Sequence, residues 1–68
     1  MTQTEQILKY MEDFGSITPM EAMNDLGIMR LASRIHELGQ MGYTINREMI
    51  TGKNRYGAKV HYMKYTKG

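Results

Sequence analysis

Apolar residues recur along this chain with two periods, helical up to about Met41 and extended beyond Tyr43. From about Thr4 to Phe14, Ile7, Leu8, Met11 and Phe14 follow at helical spacing, while Glu5, Lys9, Glu12 and Asp13 form an ordinary solvated face. Thr2-Gln3-Thr4-Glu5 has the form of a capping box, in which a threonine hydroxyl and a glutamate carboxylate each accept a backbone N–H that the first turn leaves free. Gly15 closes that segment. Thr18-Pro19-Met20-Glu21 repeats the device, with Pro19 at the first helical position, where no N–H is needed. This second helix, about Pro19 to Leu26, is expected to offer Ala22, Met23 and Leu26 to a core. It stops at Asn24-Asp25-Leu26-Gly27, where Gly27 suits the left-handed conformation that follows a helix.

A third helix is expected from about Met29 to Met41. At about 100° per residue, Ile28, Leu31, Ala32, Ile35 and Leu38 share one stripe. The far face collects Met29, Arg30, Ser33, Glu37 and Gln40, with Arg34 on one flank and His36 on the other. Gly39 in the last turn costs about 1 kcal/mol relative to alanine, which favours an early end. Two helices this close, the second of them long, form the helix-turn-helix pattern that places one helix in a DNA groove.

From Tyr43 the residues favour strands. Two runs, about Thr44–Thr51 and Ala58–Tyr65, flank the turn-forming basic cluster Gly52-Lys53-Asn54-Arg55-Tyr56-Gly57. Alternation is irregular at Glu48-Met49-Ile50, where the register is open and a bulge would fit. Ser16-Ile17-Thr18 is too short for an independent strand and suits pairing with the edge of this hairpin.

A chain of 68 residues predicts one domain, 1–68, with a modest core. It has no cysteine, hence neither a disulfide nor a thiolate metal site. No apolar run suits a signal peptide or a membrane span, so a soluble, cytoplasmic protein is expected. The net charge of +2 is unevenly placed. Residues 1–42 hold Lys9, Arg30 and Arg34 against Glu5, Glu12, Asp13, Glu21, Asp25 and Glu37, a net −3. Residues 43–68 hold Arg47, Lys53, Arg55, Lys59, Lys64 and Lys67 against Glu48, a net +5. That asymmetry fits an acidic side in solvent and a basic side on a polyanion, or an uneven surface without function.

Little else suggests chemistry. His36 and His61 lack companions at metal-ligand spacing, Ser33 lacks a base and an acid, and the carboxylates form no recognisable pair. The stretch from Gly52 to Gly57 is no phosphate-binding loop, because no helix follows it. Catalysis, a metal, a cofactor and a small-molecule substrate are therefore not expected. The eight methionines read mostly as flexible core filler. Met29 points outward, where with Met41 or Met49 it would form a patch for a protein partner. Tyr56 is placed either to stack on a base or sugar or to pack back on the strands.

Helix, short strand near Ser16–Thr18, two helices and a two-stranded β-hairpin wing, in that order, resemble the α+β winged helix-turn-helix fold. Ile17-Thr18-Pro19 with Glu21-Ala22, Leu26-Gly27, Arg30-Leu31-Ala32-Ser33-Arg34-Ile35-His36-Glu37-Leu38, Gly42-Tyr43-Thr44-Ile45 and Asn54-Arg55-Tyr56-Gly57 resemble small helix-turn-helix proteins of bacteriophages and prophages. The chain departs from that pattern at Gly39, where a basic or polar residue is usual. It departs again at Met23, where alanine often stands four residues before the turn glycine. The resemblance implies duplex DNA as partner, a transcriptional or DNA-transaction role, and a bacterial host cell if the protein is phage-encoded. On this reading the third helix presents Met29, Arg30, Ser33, Arg34 and Gln40 to base edges. Lys53, Asn54, Arg55 and Lys59 of the wing meet phosphates or the minor groove. A homodimer or a neighbouring protein would assist a monomer this small. An alternative is a protein-interaction module that binds or inhibits a host or phage protein, favoured by Glu37 on the proposed recognition face and by Met29. An RNA-binding winged helix is a third option.

Overall fold

Both capping boxes are formed in the computed structural model, which describes all residues from Met1 to Gly68. The Glu5 N–H donates to Thr2 Oγ1 at 3.2 Å and the Thr2 N–H donates to Glu5 Oε1 at 3.1 Å. The bond from the Thr2 backbone is the first cause that holds the Glu5 carboxyl below the usual carboxylate range. Thr18 and Glu21 make the same exchange at 3.3 and 3.0 Å. These caps open α1 (Gln3–Phe14) and α2 (Pro19–Leu26), which end at Gly15 and Gly27 with φ of 85° and 67°. A third helix, α3 (Leu31–Gln40), precedes strands β1 (Ile45–Lys53) and β2 (Lys59–Lys67), which pair antiparallel.

The third helix begins two residues later than its sequence pattern suggests. Ile28 is buried in the core, and after Gly27 the chain stays non-helical to put it there. Arg30 is the cap residue, at φ −117° and ψ 62°, and its side chain makes no capping bond. Met29 and Arg30 thus lie in the turn before α3 rather than on its face. At the other end the helix stops at Gln40, one residue past Gly39, and the Met41 N–H donates back to the Glu37 carbonyl at 3.0 Å.

The core joins Ile7, Tyr10 and Met11 of α1, Ile17, Ala22 of α2, Ile28, Leu31, Ile35 and Leu38 of α3, and Tyr65 of β2. Several positions on the predicted stripes face solvent instead. Phe14 is 71% exposed because Tyr10, one turn earlier, takes the core place, leaving the Phe14 ring against Tyr10 at 4.7 Å between centroids. Met23 is exposed and Leu26 half-buried, whereas Ala22 is fully buried, so a methyl group lets α2 lie close to the core. Ala32 is exposed because α3 packs through the narrower stripe of Leu31, Ile35 and Leu38.

The hairpin register runs unbroken from Ile45↔Lys67 to Lys53↔Lys59. No bulge interrupts Glu48–Ile50; alternation is irregular there because neither face of that stretch packs on the core, so the pleat imposes no pattern. Each strand starts one residue later and ends two residues later than expected. The tip is tighter than the basic cluster suggests: the Asn54 N–H donates to the Ala58 carbonyl at 2.9 Å, leaving Arg55, Tyr56 and Gly57 as the loop. Gly57 has φ 80°, the left-handed position that a three-residue hairpin loop requires. The short strand expected at Ser16–Thr18 reduces to one bridge, in which Ile17 and Tyr65 exchange N–H···O=C bonds of 2.9 Å. The molecule measures 38 × 21 × 21 Å; its long dimension fits a wing whose nine-residue strands span about 30 Å.

Two measurements check this packing. Leu38 is fully buried, and Leu38→Ala is expected to cost about 2–5 kcal/mol. A domain of this size holds about 3–5 kcal/mol in total, so circular dichroism of the variant should show a largely unfolded chain at about 37 °C. The Tyr10 hydroxyl donates to Asp25 Oδ2 at 2.5 Å. That bond, then burial, then the charges of Glu21 and Asp25 push the phenol from 10.0 up to about 12. The stabilisation is complete below the unfolded value of 10.0 and is lost as pH rises through about 12. An absorbance titration should show a tyrosinate component near that upper value, absent from Tyr10→Phe.

Candidate nucleic-acid interface

Strand register sorts the wing into two chemically different faces, because residues directly opposite each other share a side of the pleat. One face carries Ile45, Arg47, Met49, Thr51 and Lys53 opposite Lys67, Tyr65, Met63, His61 and Lys59. Tyr65 of this inner face is buried in the core, and Ile45 and Met63 pack against it. The inner face therefore turns toward the helical body, and it holds four cations and no carboxylate. The outer face carries Asn46, Glu48, Ile50 and Gly52 opposite Thr66, Lys64, Tyr62 and Val60.

The inner face continues into α3. A groove lined by Ile35, His36, Gly39 and Gln40 of the helix also takes Tyr43, Ile45 and Arg47. Gln40 of α3 and Arg47 of β1 thus line one cleft at the junction of helix and wing. Beside it, Lys67 Nζ lies 5.9 Å from the centroid of the Tyr43 ring, within the range of a cation–π contact.

The structure places the sequence-predicted residues in three settings. Met29, Arg30, Ser33 and Gln40 are exposed along the turn and outer side of α3, Met29 at 82%, and Arg30 makes no ion pair. Arg34 is held by its own chain. Its Nε donates to Gln3 Oε1 at 2.9 Å, and its Nη1 donates to Glu37 Oε1 and Oε2 at 2.7 and 2.8 Å. This arrangement ties α3 to the start of α1 and neutralises Glu37 locally; a half-exposed pair of this kind is worth about 0–1 kcal/mol. At the tip, Lys53, Arg55 and Lys59 are exposed, and Lys53 stands directly opposite Lys59. Asn54 is a turn-builder, since its Oδ1 accepts from the N–H groups of both Tyr56 and Ala58 at 3.0 Å. Tyr56 is 90% exposed and does not pack back on the strands.

Sequence reading passed over Arg47, Lys67, His36 and Tyr43 as members of this surface. The first two needed the register, in which paired residue numbers share one face. The cleft that collects His36 and Tyr43 exists only once β1 docks beside α3.

Three helices, the last two joined by a tight glycine turn, and a cationic hairpin beside the final helix define the winged helix-turn-helix class of domain. The chain belongs to that family: the family model described as a winged helix-turn-helix domain matches residues 2–66. No curated protein and no solved structure matches the chain.

The Asn54 turn is checked by hydrogen exchange. Asn54→Ala removes the acceptor for two N–H groups, so the Tyr56 and Ala58 amides should exchange faster while core amides such as Leu38 keep their protection.

Proposed function

We propose that the protein binds duplex DNA, with α3 in the major groove and the inner face of the wing on the flanking phosphates. Met29, Arg30, Ser33 and Gln40 face the base edges. Arg30 is suited to guanine and Gln40 to adenine, each through two hydrogen bonds. Lys53, Arg55 and Lys59, with Arg47 at the root of the wing, meet phosphate oxygens and set the register of the protein on the duplex. Arg34 contributes by tying α3 to α1 through Gln3, with Glu37 holding its guanidinium in place, rather than as a free cation. The observation that carries this reading is the segregation of charge: four cations and no carboxylate share the wing face whose root adjoins α3 through Arg47. Lys53 opposite Lys59 is unfavourable in the isolated protein, and a phosphate between them relieves it. The role that follows is transcriptional control or an accessory step in the DNA transactions of a phage or prophage, in the cytoplasm of its host.

A second reading, a module that binds a host or phage protein, is favoured by the exposed Met29 and by an apolar groove between α1 and α2 lined by Met1, Tyr10, Phe14 and Leu26. Retention of one protein from nuclease-treated lysate, together with no affinity for DNA, would select it.

Fluorescence titration of mixed-sequence duplex DNA tests the first reading. If about three to five phosphates are neutralised, log affinity falls against log salt with a slope of about −3 to −5. Lys53→Glu with Arg55→Glu should weaken binding on every sequence and flatten that slope by about 2. Arg30→Ala should chiefly relax sequence preference, by about 1–3 kcal/mol at one base pair. No binding at about 50 µM protein in low salt would reject the reading.

A further inference from the structure

We propose that the outer face of the wing is a self-association surface that seats a second copy of this chain. This goes beyond the DNA-binding reading and uses none of the inner-face cations. Between its root and its tip the wing stands clear of the helices, and a two-stranded ribbon uncovered on both sides is marginal in water. Its outer face has an apolar centre: Tyr62 is 41% exposed, Val60 37%, and Ile50 is half-buried. The chain is without a side chain at Gly52, where an added Cβ would lie 3.7 Å from the Tyr62 ring and 3.9 Å from Val60 Cγ2.

The charge of this face matches itself. It holds one carboxylate and one ammonium, Glu48 and Lys64, which are cross-strand partners and make no ion pair with each other. A two-fold axis parallel to the strands, running between two such faces, exchanges β1 and β2 at each level of the ladder. Glu48 of one copy then meets Lys64 of the second, twice over. Ile50 meets Tyr62 of the second copy, also twice over. The inner faces repel one another and have no such solution. The helical bodies pack on the inner faces and so lie on the sides away from the axis. The footprint, about 25 by 10 Å on each copy, is below that of a standard stable interface, so the dimer is weak and dependent on concentration.

Sedimentation velocity of the full chain without DNA, from about 10 µM to 1 mM, tests this independently of the DNA-binding reading. A monomer–dimer equilibrium is expected. Glu48→Lys alone and Lys64→Glu alone each set like charges against each other and should raise the dissociation constant about tenfold. Mixing the two single variants should restore a heterodimer, because one then offers only cations and the other only carboxylates on that face. Tyr62→Glu should abolish association, with unchanged far-UV circular dichroism showing that the fold persists. A chain that stays monomeric throughout, or single variants that dimerise as tightly as the parent, would overturn the proposal. So would a mixture no tighter than its components.

Discussion

The pair of hydrogen bonds between Ile17 and Tyr65 joins the helical body to the wing. Both side chains are buried, so the junction combines backbone pairing with core packing in one place. Tyr65 is also a member of the inner face, which makes the orientation of the cationic surface a consequence of how one tyrosine sits in the core. Without that junction, the root of the wing would have only Ile45 and Met63 to hold it against the helices. The cleft between Gln40 and Arg47 depends on the same seating.

Charge is divided between the elements. Glu37 faces Arg34, and the two cancel locally, so the exposed side of α3 is polar and Arg30, in the turn before it, is the free cation. The wing supplies the rest, sorted by the pleat into a cationic inner side and an outer side whose charges balance. On the proposed DNA-binding reading, the helix discriminates and the ribbon attracts, which keeps sequence preference separable from salt-dependent affinity.

The helices were legible because their signals are local. Thr18-Pro19-Met20-Glu21 and Gly27 specify both ends of α2 within a few residues, and the structure places them where the chain indicates. The start of α3 was not legible, because burial of Ile28 is a tertiary demand that overrides the helical phase of Met29 and Arg30. The surroundings of Arg34 were legible only in part: Glu37 is a neighbour on the same helix, whereas Gln3 is 31 residues away. The strand register was hidden for a different reason. A sheet with one buried face announces its register by alternation, and the outer half of this ribbon buries neither. Arg47 and Lys67 could not be assigned to the inner face until pairing fixed it.

A ribbon rooted at one end is a cantilever. The core closes around Tyr65, with Ile45 and Met63 against it, and makes no demand on the identity of residues beyond them, apart from the turn geometry at Asn54 and Gly57. Most positions between Glu48 and Tyr62 can therefore be rewritten by mutation with little penalty in folding. On the proposed DNA-binding reading, what the tip grips can diverge while the body that carries it stays the same.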